Sequence, residues 1–275
     1  MQGQIVKITS DLHVVSTPDG EVACKCRGIF RKMKLIPLVG DYVLFDKDKQ
    51  VIEKILPRKN EFKRPSVSNI DQAFLITSLK IPDFSLNLLD KLLVLMEIKN
   101  IKPIICITKE DLVTEEEMKN IKDKLSYYEK IGYTVISNTE IEKIKDLLRD
   151  KTSVFTGQTG AGKTTLLNKL NPDWNLKTGE VSIALGRGKH TTRVVELFDF
   201  CDGKVLDTPG FSALDLKEFS NEEIRKAFIE FVNYPCIYKS CTHTKEQECN
   251  VKKAVHDSFI LKERYENYLK FIESR

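Results

Sequence analysis

The stretch Gly157-Gln158-Thr159-Gly160-Ala161-Gly162-Lys163-Thr164-Thr165 constrains this chain more than any other, because it fills every fixed position of the phosphate-loop pattern G-x-x-x-x-G-K-[ST]. Its flanks agree with it. Thr152 to Thr156 reads as a short buried strand, and Thr165 to Leu170 as the opening of a helix that stops at Asn171-Pro172. Between a strand and a helix, such glycines let successive backbone N–H groups point at an anion, and the helix N-terminus adds partial positive charge. Lys163 is then placed for the β- and γ-phosphates and the Thr164 hydroxyl for Mg²⁺. A ligand-free glycine-rich turn is the alternative, and it does not call for this strand and helix.

With 275 residues, 41% hydrophobic and 31% charged, the chain has room for two or three domains. No apolar run approaches membrane-spanning length, and Met1 to Lys7 shows neither a charged leader nor a hydrophobic segment, so the expectation is a cytoplasmic protein without membrane contact. In that compartment seven cysteines point to thiols or metal ligands rather than disulfides. Gln4–Thr9, Leu12–Ser16, Glu21–Arg27, Asp41–Asp46 and Val51–Leu56 read as short strands, which predicts a small five-stranded barrel. Residues 1–66 hold 13 Lys and Arg against 8 Asp and Glu, a net +5 that exceeds the +4 of the whole chain. Arg27, Arg31, Lys32 and Lys34 fall between strands, where an OB-fold barrel presents its ligand-binding loops, so they are candidate RNA contacts; a solvated loop is the alternative. Cys24 and Cys26 alternate onto one strand face as small core residues.

From Arg64 onward strands alternate with helices, the mark of a parallel α/β sheet. Gln72–Leu79 and Lys102–Thr108 read as strands and Leu86–Lys99 as a helix. The second strand runs into Thr108-Lys109-Glu110-Asp111, of the form [NT]-K-x-D, at the end of a strand where open α/β sheets bind ligands. In such a motif Asp111 accepts the two guanine donors while the Lys109 stem covers the base. Thr108 in place of Asn offers fewer hydrogen bonds, which predicts some loss of guanine affinity. A helix from Thr114 to Lys130 and a strand at Tyr133–Ile136 follow, and the latter leads to Ser137-Asn138, positioned for the guanine carbonyl.

Beyond the phosphate loop lie Gly186-Arg187-Gly188-Lys189-His190-Thr191-Thr192-Arg193 and Asp207-Thr208-Pro209-Gly210, the second a D-x-x-G. Asp207 is expected to hold Mg²⁺ through water, Gly210 N–H to sense the γ-phosphate, and Thr191 or Thr192 to close over the metal. The guanine motif precedes the phosphate loop, the reverse of the ordinary GTPase order, so the domain reads as circularly permuted. Then come Cys236, Cys241, His243 and Cys249, in the spacing C-x₄-C-x-H-x₅-C. Three thiols and one imidazole close a four-ligand set and favour structural Zn²⁺ over a catalytic metal. Helices are predicted at Asn221–Val232, capped by Ser220, and at Val251–Glu273.

A small barrel, TKED, GQTGAGKTT, GRGKHTTR, DTPGF and the Cys/Cys/His/Cys cluster, in this order, resemble the ribosome small-subunit-dependent GTPase A family (RsgA, or YjeQ) over essentially the whole chain. The resemblance implies an OB-fold domain at residues 1–66, a circularly permuted GTPase domain at 67–215 and a helical zinc-binding domain at 216–275. It implies GTP hydrolysis to GDP stimulated by the 30S ribosomal subunit in its late maturation, contact with ribosomal RNA, and a monomeric protein. Many small GTPases carry a water-orienting Gln just after the D-x-x-G glycine; here that position is Phe211. His190 matches the histidine of the family's GRGRHTT motif and is the candidate for orienting the water, with a purely structural loop histidine as the alternative. Arg187 and Lys189 are open to either RNA binding or transition-state charge. A nucleotide-gated RNA-binding protein is the rival class.

Overall fold

Apolar residues at every second position make the N-terminal strands one-sided, and later apolar runs make the central strands buried on both faces. The structure is a computed structural model, which describes residues 1–9, 11–33, 35–63, 66–174, 195–207 and 215–273, the side chains of Ile29, Arg31, Lys63, Trp174 and Asp207 excepted. In chain order its first elements are β1 (Gln2–Thr9), β2 (Leu12–Thr17), β3 (Gly20–Cys26), α1 (Ile29–Lys32), β4 (Tyr42–Asp46), β5 (Val51–Ile55), β6 (Glu61–Lys63) and β7 (Ser66–Ser68). There follow β8 (Gln72–Ser78), α2 (Leu86–Ile98), β9 (Lys102–Thr108), α3 (Glu115–Lys130), β10 (Thr134–Ser137), α4 (Ile141–Leu148), β11 (Thr152–Gly157) and α5 (Lys163–Leu170). The last are β12 (Glu196–Phe200), β13 (Gly203–Asp207), α6 (Asn221–Ala227), α7 (Asn250–His256) and α8 (Lys262–Glu273).

The chain divides into two compact units: Met1–Phe74, Thr139–Thr156 and Lys163–Ser212 form one, Leu75–Asn138, Gly157–Gly162 and Ala213–Arg275 the other. In the first, the strand order is β11-β13-β12-β1-β2-β3-β5-β4, and β1 also pairs with β4, which closes the five N-terminal strands into a barrel. Ile5, Val15, Cys24, Val43, Phe45 and Ile52 fill it. The five strands match the sequence expectation to within one or two residues at each end. Antiparallel β12 was not expected; it joins β13 to the barrel strand β1 at Lys7↔Glu196, where Lys7 Nζ meets the Glu196 carboxylate at 2.6 Å. Helix α4 was not expected either, although Ile141, Ile144 and Leu148 already trace one apolar stripe, with Ile144 and Leu148 buried.

In the second unit the strand order is β10-β9-β8, with β10 and β9 parallel. Helix α3 begins where the sequence predicts, in a capping box: Thr114 accepts the Glu117 N–H and Glu117 accepts the Thr114 N–H. Both C-terminal helices are shorter than predicted. The helix capped by Ser220 ends at Ala227, because Phe228 leaves helical geometry (φ −83°, ψ 81°) and puts its buried ring on Phe231 and Tyr268, at 5.2 and 5.1 Å. The run from Val251 is two helices rather than one. Ser258 adopts φ +60°, the N–H groups of Phe259 and Ile260 turn back to the Ala254 carbonyl at 2.8 and 3.1 Å, and Ile260 is buried in the bend.

Candidate nucleotide site and metal centre

Strand β11 ends at Gly157, where the backbone needs a glycine: φ is +153°, and an added Cβ would lie 2.2 Å from the Ile76 carbonyl oxygen. The chain then turns through exposed Gln158, Thr159 and Gly160, buried Ala161 and Gly162, whose φ is +98°. The Ala161 N–H closes the turn on Gln158 O at 3.1 Å. From the end of β9, the buried Thr108 hydroxyl donates to Ala161 O at 2.6 Å, so the first residue of TKED holds the phosphate loop directly. One hydroxyl supplies that tie, which is what a Thr at this position can offer. After Gly162 the chain enters α5, with Lys163 at its first position, Thr164 buried, Thr165 exposed, and Leu166, Leu167 and Leu170 in the core.

The rest of TKED follows from the end of β9. Lys109 takes φ +61° and its amine donates to the Ile81 carbonyl. Glu110–Leu112 form a single 3₁₀ turn that leaves Asp111 exposed. Ser137, at the end of β10, donates its hydroxyl to Glu110, and the Asn138 N–H donates to Ile107 O at 2.9 Å. The structure therefore brings Thr108, Lys109, Glu110, Asp111, Ser137, Asn138 and Gly157–Gly162 together in one unit. Asp207 ends β13, which runs parallel to β11 with Val154 opposite Leu206. The Asp207 side chain, Arg187, Lys189, His190, Thr191, Thr192 and Gly210 lie outside the described residues.

The four predicted metal ligands converge, and their ligand atoms all lie within 4.8 Å of one another. His243 Nδ1 is 3.5, 3.4 and 3.4 Å from the sulfurs of Cys236, Cys241 and Cys249, and Cys236 Sγ is 3.7 Å from Cys249 Sγ. A tetrahedral centre with Zn–S near 2.3 Å and Zn–N near 2.05 Å requires S···S edges of about 3.8 Å and S···N edges of about 3.6 Å. The donor set and spacing fit such an ion. Burial holds the His243 imidazole below its ordinary range, which keeps it in the neutral, ligating form. Burial works against the Cys236 thiolate, yet the N–H groups of Val251 and Asn250, at the start of α7, outweigh it and draw the thiol down. Glu246 braces the loop from outside: although burial pushes its carboxyl up, bonds from Thr242 and Thr244, at 2.6 to 2.9 Å, bring it to about 2.

The model of the RsgA GTPase matches residues 55–217, and that of the RsgA N-terminal domain matches residues 2–52. The chain belongs to the RsgA GTPase family. It is 46% identical to the small ribosomal subunit biogenesis GTPase RsgA of Latilactobacillus sakei subsp. sakei (strain 23K), over 98% of this chain and 94% of that one. With the protein of the same name from Enterococcus faecalis (strain ATCC 700802 / V583) the identity is 45%, over 99% and 94%. The crystal structure of YjeQ from Thermotoga maritima matches with a TM-score of 0.86 at 34% identity, covering 99% of this chain and 97% of that one. YloQ, described as a circularly permuted GTPase, matches with 0.82 at 37%, covering 99% and 94%. The permutation read from the motif order is borne out.

In this RsgA-family barrel Arg31 and Lys32 lie on α1 and Arg27 just before it. Phe30 is buried in the barrel core and its N–H bonds Arg27 O at 3.1 Å, which anchors the turn and leaves Arg27 and Lys32 exposed. Exposed Met33 and Ile36 follow. Lys34 and the Arg31 side chain lie outside the described residues.

The sequence reading passed over a buried ionic cluster beside the metal centre. Arg264 of α8 is fully buried; it bonds Glu230 at 2.5 and 3.0 Å and Asp90 of α2 at 2.6 Å, and Asp90 also accepts from Tyr128 and Asn267 at 2.7 Å. Next to it, the Tyr265 hydroxyl donates to His243 O at 2.6 Å and the Tyr268 hydroxyl to Thr242 O. Thus α8 grips the metal loop's backbone from one side while its arginine is anchored on α2. The signal was present: Asp90 interrupts a leucine run, and Arg264, Asn267, Tyr268 and Phe271 occupy the one stripe of α8 that is buried.

Proposed function

We propose that the protein hydrolyses GTP while bound to the small ribosomal subunit, during that subunit's late maturation. The observation that carries the reading is the Thr108–Ala161 hydrogen bond, which joins a guanine-type motif to a phosphate loop. Its relatives' shared description as small ribosomal subunit biogenesis GTPases supplies the partner. Asp111 accepts the guanine N1–H and exocyclic amine, Lys109 covers the base, and Glu110, Ser137 and Asn138 frame its edge. Backbone N–H groups of residues 157–165 and the Lys163 ammonium face the phosphates, where they oppose the charge that builds on the transferred phosphoryl oxygens. Thr164, Asp207 and one of Thr191 and Thr192 supply the oxygen donors that suit Mg²⁺, which when bound neutralises phosphate charge. Gly210 N–H reads the γ-phosphate. Phe211 cannot hydrogen-bond a water, so His190 orients it.

Cys236, Cys241, His243 and Cys249 hold one structural Zn²⁺, which ties together a loop that contains no helix or strand. Residues 1–66 and 216–275 flank the GTPase domain at 67–215 as RNA-facing modules, with Arg27, Arg31, Lys32 and Lys34 on phosphates. The protein acts as a monomer in the cytoplasm. No helix among the described residues is long and apolar enough to cross a membrane. Subunit affinity measured by sedimentation is expected to be higher with a non-hydrolysable GTP analogue than with GDP, and to fall with salt as phosphate contacts are screened. Equal affinity in the two nucleotide states would overturn the switch.

A further inference from the structure

Lys80, Ile81 and Pro82, which follow β8, lie against both the TKED turn and the phosphate loop. The Lys109 amine donates to the Ile81 carbonyl, and Pro82 Cδ stands 3.8 Å from where a Cβ on Gly160 would be. The segment is itself tied down. Leu79 N–H donates to Thr108 O at 3.1 Å, the Ser78 hydroxyl donates to Lys80 O at 2.8 Å, and Lys80 Nζ reaches both Glu117 oxygens at 2.8 and 2.9 Å. Glu117 is fixed in turn, because it accepts the Thr114 N–H at 2.8 Å in the cap of α3. Ile81 is 68% exposed and has φ +53°, a conformation that a β-branched residue keeps only where its surroundings hold it. With so little packing over Ile81, the holding falls to the tethers on either side.

We propose that Lys80 is a positioning residue that sets how long a guanine nucleotide stays bound, by keeping the Ile81 carbonyl where it fixes the Lys109 stem. The inference rests on the guanine reading of TKED given above. A lysine stem covers a base in one place only if its amine has a fixed acceptor, and here that acceptor belongs to a loop latched to α3 through Lys80 and Glu117. The latch is on the surface, with side chains 34% and 45% exposed, so its loss costs the fold little. Its bonds run to the cap of α3 and the loop under the Lys109 amine, so the expectation is that the chemical step is left alone.

The test is release of a fluorescent GDP from the full-length, metal-loaded protein in Mg²⁺, by stopped flow. Lys80→Ala and Glu117→Gln should each speed release about two- to fivefold, the factor an exposed ion pair supports, and the double variant should be no faster than either alone. Lys80→Arg should restore slow release, while kcat at saturating GTP and the melting temperature of the nucleotide-free protein stay at wild-type values. Wild-type release in Lys80→Ala, additive effects in the double variant, or faster release that tracks a lower melting temperature would overturn the latch while leaving the GTPase reading intact. A wild-type protein that holds no guanine nucleotide would overturn both.

Discussion

The phosphate loop and the metal loop are both irregular stretches that present a ligand site, and they are built in opposite ways. Gly157–Gly162 is shaped by backbone that fits only glycine and by a neutral hydrogen bond from Thr108, with buried strands behind it. Its turn is held by the protein's own bonds, the Ala161 N–H on Gln158 O and the Thr108 hydroxyl on Ala161 O. Residues 236–249 contain no helix or strand, and their three sulfurs and one ring nitrogen all lie within 4.8 Å of one another, the ring nitrogen 3.4 to 3.5 Å from each sulfur. Thiolates at that distance repel unless a cation lies between them, so this loop depends on its ligand for its form. The outer braces, Tyr265, Tyr268 and Glu246, hold its backbone rather than its donors.

If that contrast holds, metal removal is the largest perturbation. Chelation, or Cys241→Ser, should release about one zinc per chain by elemental analysis and unfold the C-terminal segment by circular dichroism, since structural zinc contributes on the order of 10 kcal/mol to such modules. GDP binding should survive. Retained structure in a zinc-free protein would make the metal loop as self-sufficient as the phosphate loop. Next in size is Arg264→Met, which strands two buried carboxylates, Asp90 and Glu230, and should cost about 3–5 kcal/mol in denaturant unfolding. A loss under about 1 kcal/mol would mean that α8 is held by packing alone.

On the nucleotide side the effects are smaller and leave the fold intact. Asp111→Asn removes a charged acceptor from an exposed turn and should weaken GTP binding about ten- to a hundredfold, the worth of charge-assisted hydrogen bonds, while shifting preference toward xanthosine nucleotides. Unchanged affinity would reduce TKED to a turn. Thr108→Val keeps the volume but strips the donor from Ala161 O and should cost about 1–3 kcal/mol in stability, together with severalfold weaker GTP binding. Equal GTP affinity would show that the glycines alone shape the loop.

What could be read from the sequence follows the same division. The phosphate loop, TKED and the Cys/His set are fixed spacings whose chemistry leaves few other uses, and the structure brings each together. The barrel was legible because β1–β5 alternate and are cut by turn residues. Breaks in the C-terminal helices were not, because Phe228 and Ser258 carry no breaker signal; each leaves the helix to bury an aromatic or aliphatic side chain in a core assembled from distant segments. Strand β12 was hidden for a related reason: five residues with two buried positions gain their strand character from pairing with β1 and β13. The Arg264 cluster joins residues 174 and 34 positions apart, so neither half explains itself locally.

The central claim is that the small ribosomal subunit turns on a slow GTP site. It is tested most directly by single-turnover GTP hydrolysis with and without purified small subunits, in wild type and in His190→Ala. The account predicts slow intrinsic hydrolysis, strong stimulation by subunits, and loss of most of that stimulation in His190→Ala with GTP affinity nearly unchanged. Equal rates with and without subunits in the wild-type protein would contradict it.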